Sequence, residues 1–165
     1  KGGRNISTSD ADDYIAGFMI MNDLSARVLQ MQEMKLNLGP AKGKDFGSTF
    51  GPWLVTKDEL EPYKQSSPDG DRYDLKMKAF VNDIQVSGDT LSNMTWTFAQ
   101  IIERVSYGVD IFPGDVIGSG TCGTGCFLEL NGSKITDNQW LNPGDTVSLE
   151  IEGLGTLINK IILSD

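Results

Sequence analysis

Residues 15–30 read IAGFMIMNDLSARVLQ, and the folding of this stretch decides how the rest of the chain is read. Ile15–Met21 are seven mostly apolar residues, as in a buried strand. Asn22 and Asp23 follow, and SARVLQMQEM then reads as a helix with Ser25 near its N-cap. Where a strand passes into a helix, unpaired amide N–H groups and the positive end of the helix lie at the junction. Asp23 is placed near that end, and Arg27 and Gln30, three apart, share one helix face. Two readings stand side by side. Asp23 caps the helix and pairs with Arg27, or Asp23 is a cation ligand and Arg27 and Gln30 meet an anionic substrate.

Outward from this stretch, a turn of helix is expected through SDADDYIA, with Ser9 as cap, and a short strand over Trp53–Val55. SSPDGDR is dense in turn formers and reads as a surface loop. Beyond it the hydrophobic period becomes two. Leu75, Met77 and Ala79 alternate with Lys76, Lys78 and Phe80, and NDIQVSGDT continues as a hairpin partner. TWTFAQIIERVS is the best helical pattern, with Thr95 as cap candidate and Trp96, Ala99, Ile102 and Val105 on one stripe. Pro-Gly-Asp occurs twice, in FPGDVIGSG and NPGDTVSLEIEG, each time as a tight turn leading into a β-rich run. GTLINKIIL closes as a strand. The expected fold is mainly β with a few α-helices (α+β), in one domain over residues 1–165.

The chain has 165 residues, enough for a real core, and a formal charge of −9. That charge argues against nucleic acid or an anionic membrane as partner. No apolar run approaches the roughly 18 residues of a membrane span. The chain opens on Lys1, which leaves room for a leader and suits part of a longer protein. Cys122 and Cys126, four apart among glycines, read as reduced thiols and suit a cytoplasmic setting. With no histidine, a Ser-His-Asp triad, a Cys-His pair and a His-bearing metal site are excluded within these residues. Chemistry here must use carboxylates, Lys, Arg, hydroxyls and backbone amides.

Two further segments offer such groups. LGPAKGKDFGSTFGPW sets Lys42 and Lys44 between glycines ahead of Ser48 and Thr49, either a solvated basic loop or an anion contact. It is no Walker loop, because neither lysine precedes Ser or Thr. GSGTCGTGCFLEL presents backbone amides, Thr121, Thr124 and one acid, Glu129, in an apolar alternation. Glu129 then points either to water or inward, as a buried acid with a raised pKa.

Taken together and in order, GFMIMNDLSARVLQ, LGPAKGKDFGSTFGPWLVT, FPGDVIGSGTCGTG followed by FLEL, and LNPGDTVSLEIEGLGTLIN resemble the fumarylacetoacetate hydrolase family. The resemblance covers nearly the whole chain and implies a mixed β-roll with flanking helices, found as a homodimer. It implies Asp23 as ligand to Mg²⁺, or to Mn²⁺ or Ca²⁺ in its place, with Ser48 close to the metal. It implies Arg27, Gln30 and Thr121 as substrate-binding residues. Lys44 and Glu129 are implied as catalytic, Glu129 in a strand where it orients a catalytic histidine. The implied reaction is metal-dependent hydrolysis of a C–C bond in an acylpyruvate or fumarylacetoacetate-like 2,4-dioxo acid.

Two departures accompany it. Val28 stands where the family usually has Asp, and the histidine and Glu-x-Glu ligands that the family carries upstream are absent from these residues. The chain therefore reads as the C-terminal portion of a longer catalytic domain, inactive by itself. The alternatives are a decarboxylase, isomerase or dehydratase of a 2-oxo acid on the same metal frame, and a non-catalytic binding domain. A carbohydrate-binding β-domain would use the three tryptophans but leaves the ordered Asp23, Lys44, Thr121 and Glu129 unexplained.

Overall fold

The computed structural model describes residues 1–163. In chain order the elements are β1 (Gly3–Arg4), α1 (Thr8–Ala11), β2 (Phe18–Asp23), α2 (Arg27–Glu33), α3 (Lys42–Asp45) and β3 (Ser48–Val55). Then come β4 (Lys64–Gln65), β5 (Arg72–Tyr73), β6 (Lys76–Val81), β7 (Ile84–Thr90), α4 (Phe98–Ser106) and β8 (Asp110–Ile111). The last elements are α5 (Phe127–Gly132), β9 (Thr146–Ile151) and β10 (Gly155–Lys160). Short 3₁₀ turns fill several of the connections.

An antiparallel sheet in the order β10-β9-β6-β7 forms the body, and the antiparallel pair β2-β3 packs against β10. The chief core lies between them. Ile20 of β2, Leu75, Leu157 of β10, Leu60 and Leu154 are buried there with Tyr73. Phe18 meets Tyr73 edge-on at 5.0 Å and Phe98 at 4.7 Å, the offset geometry that aromatic quadrupoles favour. A second cluster, Ile6, Ala11, Ala99 and Ile102, joins α1 to α4.

Local sequence explains most of these elements, and the departures from expectation are instructive. Strand β2 runs Phe18–Asp23 rather than Ile15–Met21. A 3₁₀ turn over Asp12–Tyr14 holds the chain until Ile15, and the strand carries Asn22 and Asp23 as its last residues. Its partner takes in all of Ser48–Val55, well beyond the three residues expected. The Lys76–Val81 alternation holds to its end, with Val81 buried in phase with Leu75, Met77 and Ala79. The register shift at Ala79/Phe80 leaves Val86 as an extra residue on β7, a β-bulge in the partner strand that leaves the β6 pattern intact.

The caps fall elsewhere than expected. Thr97, not Thr95, caps α4: its Oγ1 accepts from Gln100 N at 3.1 Å, and Gln100 Oε1 accepts from Thr97 N at 3.0 Å. Trp96 therefore precedes the helix and is 64% exposed, Val105 is also exposed, and the buried stripe is Ala99, Ile102 and Ser106. Ser7 rather than Ser9 flanks α1, and Ala26, next to Ser25, is the N-cap of α2. Of the two Pro-Gly-Asp turns, Pro143–Asp145 leads into β9, whereas the segment after Pro113–Asp115 forms no strand. Among the described residues no helix is long and apolar enough to cross a membrane.

Candidate active site

The site grows from the edge where β2 ends. Along an extended strand successive side chains alternate, so Phe18, Ile20 and Asn22 share one face and Asp23 projects on the other. Asn22 is fixed by Nδ2 donating to Asn159 Oδ1 on β10 at 2.9 Å, and the same oxygen accepts from Thr49 Oγ1 at 2.9 Å. Asn22 and Thr49 face each other in the ladder, as do Asp23 and Ser48. Anchoring one pair through Asn159 therefore sets the position of the next, and Ser48 is brought directly across from Asp23.

Lys44, at the end of a four-residue helical turn, reaches this edge. Its Nζ lies 2.5 Å from Asp23 Oδ2, donates to Ser25 Oγ at 2.7 Å and approaches the Asp23 carbonyl at 3.4 Å. Ser25, one residue ahead of the α2 N-cap, donates its hydroxyl to the Asp23 carbonyl at 3.1 Å and receives Lys44. Among the described residues Lys44 is the ion-pair partner of Asp23; Arg27 turns elsewhere. Arg27 Nη1 donates to Gln30 Oε1 at 2.7 Å, and Nη2 donates to Cys126 Sγ at 3.3 Å. The capping-and-pairing alternative for Asp23 and Arg27 is not what the chain adopts.

The Gly-rich segment corrects a second expectation. Glu129 lies in the first turn of helix α5, not in a strand. Its Oε2 accepts from Gly125 N at 3.2 Å, a carboxylate taking an N–H ahead of the helix N-terminus, where negative charge is favoured. Leu130 is buried while Glu129 is exposed, so it is not the inward acid of the alternation. Thr121 packs against Gly125: a Cβ on Gly125 would come within 2.3 Å of Thr121 Oγ1, so only glycine fits this close approach.

Two groups of candidate residues result. Asp23, Lys44 and Ser48 gather at the β2-β3 edge, while Thr121 and Glu129 sit around Gly125. Arg27 and Gln30 stand between, tied to the second group through Cys126. Sequence reading missed three contributors. Cys126 holds Arg27, Asn159 holds Asn22, and Glu33 accepts from Lys42 N at 2.8 Å and from Ala41 N and Gly43 N at 3.0 Å each. The N–H groups of Gly43 and Ala41 hold the Glu33 carboxyl below the usual range, with smaller help from Lys42. Only Glu33 had any signal in the sequence, an acid at the end of a helix where the dipole disfavours it.

The donors at the β2-β3 edge are oxygen only, a carboxylate and hydroxyls, which suits a hard divalent cation in kind. In number they fall short, since no three Asp, Glu or Cys side chains converge among the described residues. Both cysteines are free thiols.

Fold and site together define an α+β roll with a carboxylate, a lysine and hydroxyls at the edge of a strand pair. Residues 1–162 match the family model described as fumarylacetoacetate (FAA) hydrolase, C-terminal. The chain belongs to the fumarylacetoacetate hydrolase family. It is 32% identical to a fumarylacetoacetase of Arabidopsis thaliana over 98% of its own length and 48% of that protein's. It is 34% identical to a mitochondrial oxaloacetate tautomerase of Rattus norvegicus over 98% of its length and 47% of the relative's. The chain thus spans about half the length of the curated relatives it matches. Among solved structures, 5-carboxymethyl-2-hydroxymuconate delta-isomerase from Mycobacterium smegmatis superposes with a TM-score of 0.71 at 27% identity, covering 98% of this chain and 54% of the other. Fumarylpyruvate hydrolase from Pseudomonas aeruginosa, solved with Mn²⁺ and pyruvate, gives a TM-score of 0.76 over 99% of this chain and 61% of the other. At 22% identity it shares the fold alone.

Proposed function

We propose that residues 1–165 are the C-terminal portion of the catalytic domain of a divalent-metal-dependent enzyme acting on small 2-oxo or 2,4-dioxo acids, with hydrolysis of a C–C bond as the leading reaction. The observation that carries this reading is the meeting of Asp23, Lys44 and Ser48 on one edge, with the Arg27–Gln30 pair on the adjoining helix. Asp23 would hold the metal, Mg²⁺ or Mn²⁺, with Ser48 beside it. Further ligands and a general base would come from residues beyond this chain. When bound, the metal would supply Lewis acidity toward the oxygens of the dioxo acid.

The chain's own residues have separate tasks. Arg27, oriented by Gln30 and Cys126, offers guanidinium N–H donors to a substrate carboxylate. Lys44 has two close acceptors, Asp23 Oδ2 and Ser25 Oγ, and its contact with the Asp23 carbonyl at 3.4 Å is weak. Its third proton is therefore the one available to a substrate oxygen that gains negative charge as the bond breaks. Thr121 offers a hydroxyl to the substrate, and Glu129 orients a base supplied from outside these residues.

A second reading, tautomerase or isomerase, is favoured by the similarity to the rat oxaloacetate tautomerase, at 34% identity against 32% for the plant hydrolase. It needs the same carboxylate binding and enolate stabilisation with no attacking water. Homodimerisation and a reducing, cytoplasmic compartment are part of the proposal, the latter supported by the two free thiols.

The test is Asp23→Asn in the complete protein. Removing a metal ligand should cost more than the 10–100-fold typical of the groups that orient ligands, so Mn²⁺ affinity by calorimetry and turnover of an acylpyruvate should each fall by at least about 100-fold. The ion pair of Asp23 with Lys44 is partly exposed and contributes only about 0.2–1 kcal/mol, so thermal stability should hardly change. Normal turnover in this variant would overturn the proposal. Release of pyruvate against proton exchange at C3 of oxaloacetate separates the two reactions.

A further inference from the structure

We infer that Glu33 is a positioning residue, which sets where Lys44 sits relative to Arg27 and Gln30. The functional part of this inference rests on the role proposed above for Lys44, but its structural part does not. Turn α3 is four residues long, too short to be stable as an isolated helix. Burial does little to hold it, because Ala41, Lys42, Asp45 and Phe46 are all exposed, Phe46 by 59%. Three consecutive amide donors at its start, Ala41 to Gly43, converge on the one carboxylate of Glu33. The other ties of its backbone are Ala26 N donating to the Gly43 carbonyl at 2.9 Å and the packing of Gly43 on Gln30. These backbone ties lead to α2 and its N-cap, while the Lys44 side chain itself is tied to Asp23 and Ser25.

Glu33 also breaks a local rule. It is an acid at the C-terminal end of α2, which has no basic residue in its last turn. The helix dipole disfavours negative charge there. Violations of local preference concentrate where a residue serves function. Arg27, Gln30 and Glu33 follow at three-residue steps, which spreads them over about 120° of the helix surface. One face of α2 thus carries the anion-binding pair and grips the segment that delivers the lysine. An error of about 1 Å in the placing of a catalytic group can cost about 100-fold in rate, so such a grip has a kinetic consequence.

The experiment measures Lys44 directly and needs no turnover. The complete protein and its Glu33→Ala and Glu33→Gln variants are pulse-labelled with acetic anhydride, and each lysine is quantified by peptide mass spectrometry. Freed from its fixed position, the Lys44 amine should label about tenfold faster in Glu33→Ala, because local opening then governs its protection. The increase should be smaller in Glu33→Gln, which keeps one acceptor oxygen, and Lys57 and Lys64 should label as before. Unchanged labelling of Lys44 in both variants would overturn the inference. So would an equal rise at all three lysines, which would mark general loosening. Activity is read beside it: a fall in kcat with KM nearly unchanged is expected. Faster labelling without that fall would uphold the grip on Lys44 while refuting its catalytic use.

Discussion

Replacing Asn159 by alanine tests how the metal-ligand strand is held. One oxygen, Asn159 Oδ1, accepts from Asn22 Nδ2 and from Thr49 Oγ1 at 2.9 Å each, across separations of 137 and 110 residues. Each partner is partly buried, and a hydrogen bond between such groups contributes about 0.5–1.5 kcal/mol net. Losing both should therefore cost about 1–3 kcal/mol. At roughly 2–4 °C per kcal/mol for a domain of this size, the midpoint should fall by about 2–12 °C. Urea unfolding followed by tryptophan fluorescence suits the measurement, since Trp53 lies on β3 itself. The denaturant slope should stay constant, because the surface exposed on unfolding is nearly the same. A double-mutant cycle with Thr49→Val then isolates the Thr49 bond, for which a coupling of about 0.5–1.5 kcal/mol is expected. A coupling of zero, or a single variant as stable as the parent, would refute the argument that β10 fixes the register next to Asp23.

Two further outcomes follow from the body of the fold. Thr97→Ala should destabilise by about 1–2 kcal/mol, since a fully buried capping-box hydroxyl is lost, while Thr95→Ala, at an exposed position, should leave the urea midpoint almost unmoved. Tyr73 is 2% exposed, and burial, helped by Asp71, Asp12 and Glu61, pushes its hydroxyl up to about 12. A folded-state pKa above the unfolded value of about 10 means stability that is full below pH 10 and lost as pH rises toward 12. The difference in 295 nm absorbance between the parent and Tyr73→Phe isolates this titration; a midpoint near 10 in the folded protein would contradict the assignment.

Several features were legible in the sequence because short-range physics decides them. The apolar run ending in Asn22-Asp23 specified a strand, period-two alternation specified β6, and Pro143-Gly144-Asp145 specified the turn into β9. The order of four motifs was enough to indicate the family. Where the sequence offered near-equivalent choices, the fold selected among them. Thr95 and Thr97 are both good caps, but only Thr97 has Gln100 three residues on to complete the box. Glu129 lies in an apolar alternation that suits a strand, yet the extended Cys126 and the backbone of Gly125 start a helix there.

The site divides in the same way. Sequence alone determined which groups chemistry could use: no histidine, one acid at the end of a core strand, Arg27 and Gln30 on one helical face, and a lysine between glycines. Those are matters of composition and helical or strand period, and they need no knowledge of distant partners. Only the tertiary structure decided who touches whom. Lys44 rather than Arg27 neutralises Asp23 across 21 residues, Cys126 receives Arg27 across 99, and Asn159 anchors Asn22 across 137. Such contacts depend on how β10 packs on β2 and β3 and on where the short turn of Lys42–Asp45 is held. Packing of that kind is set by the whole buried surface at once, and no local stretch of sequence contains it.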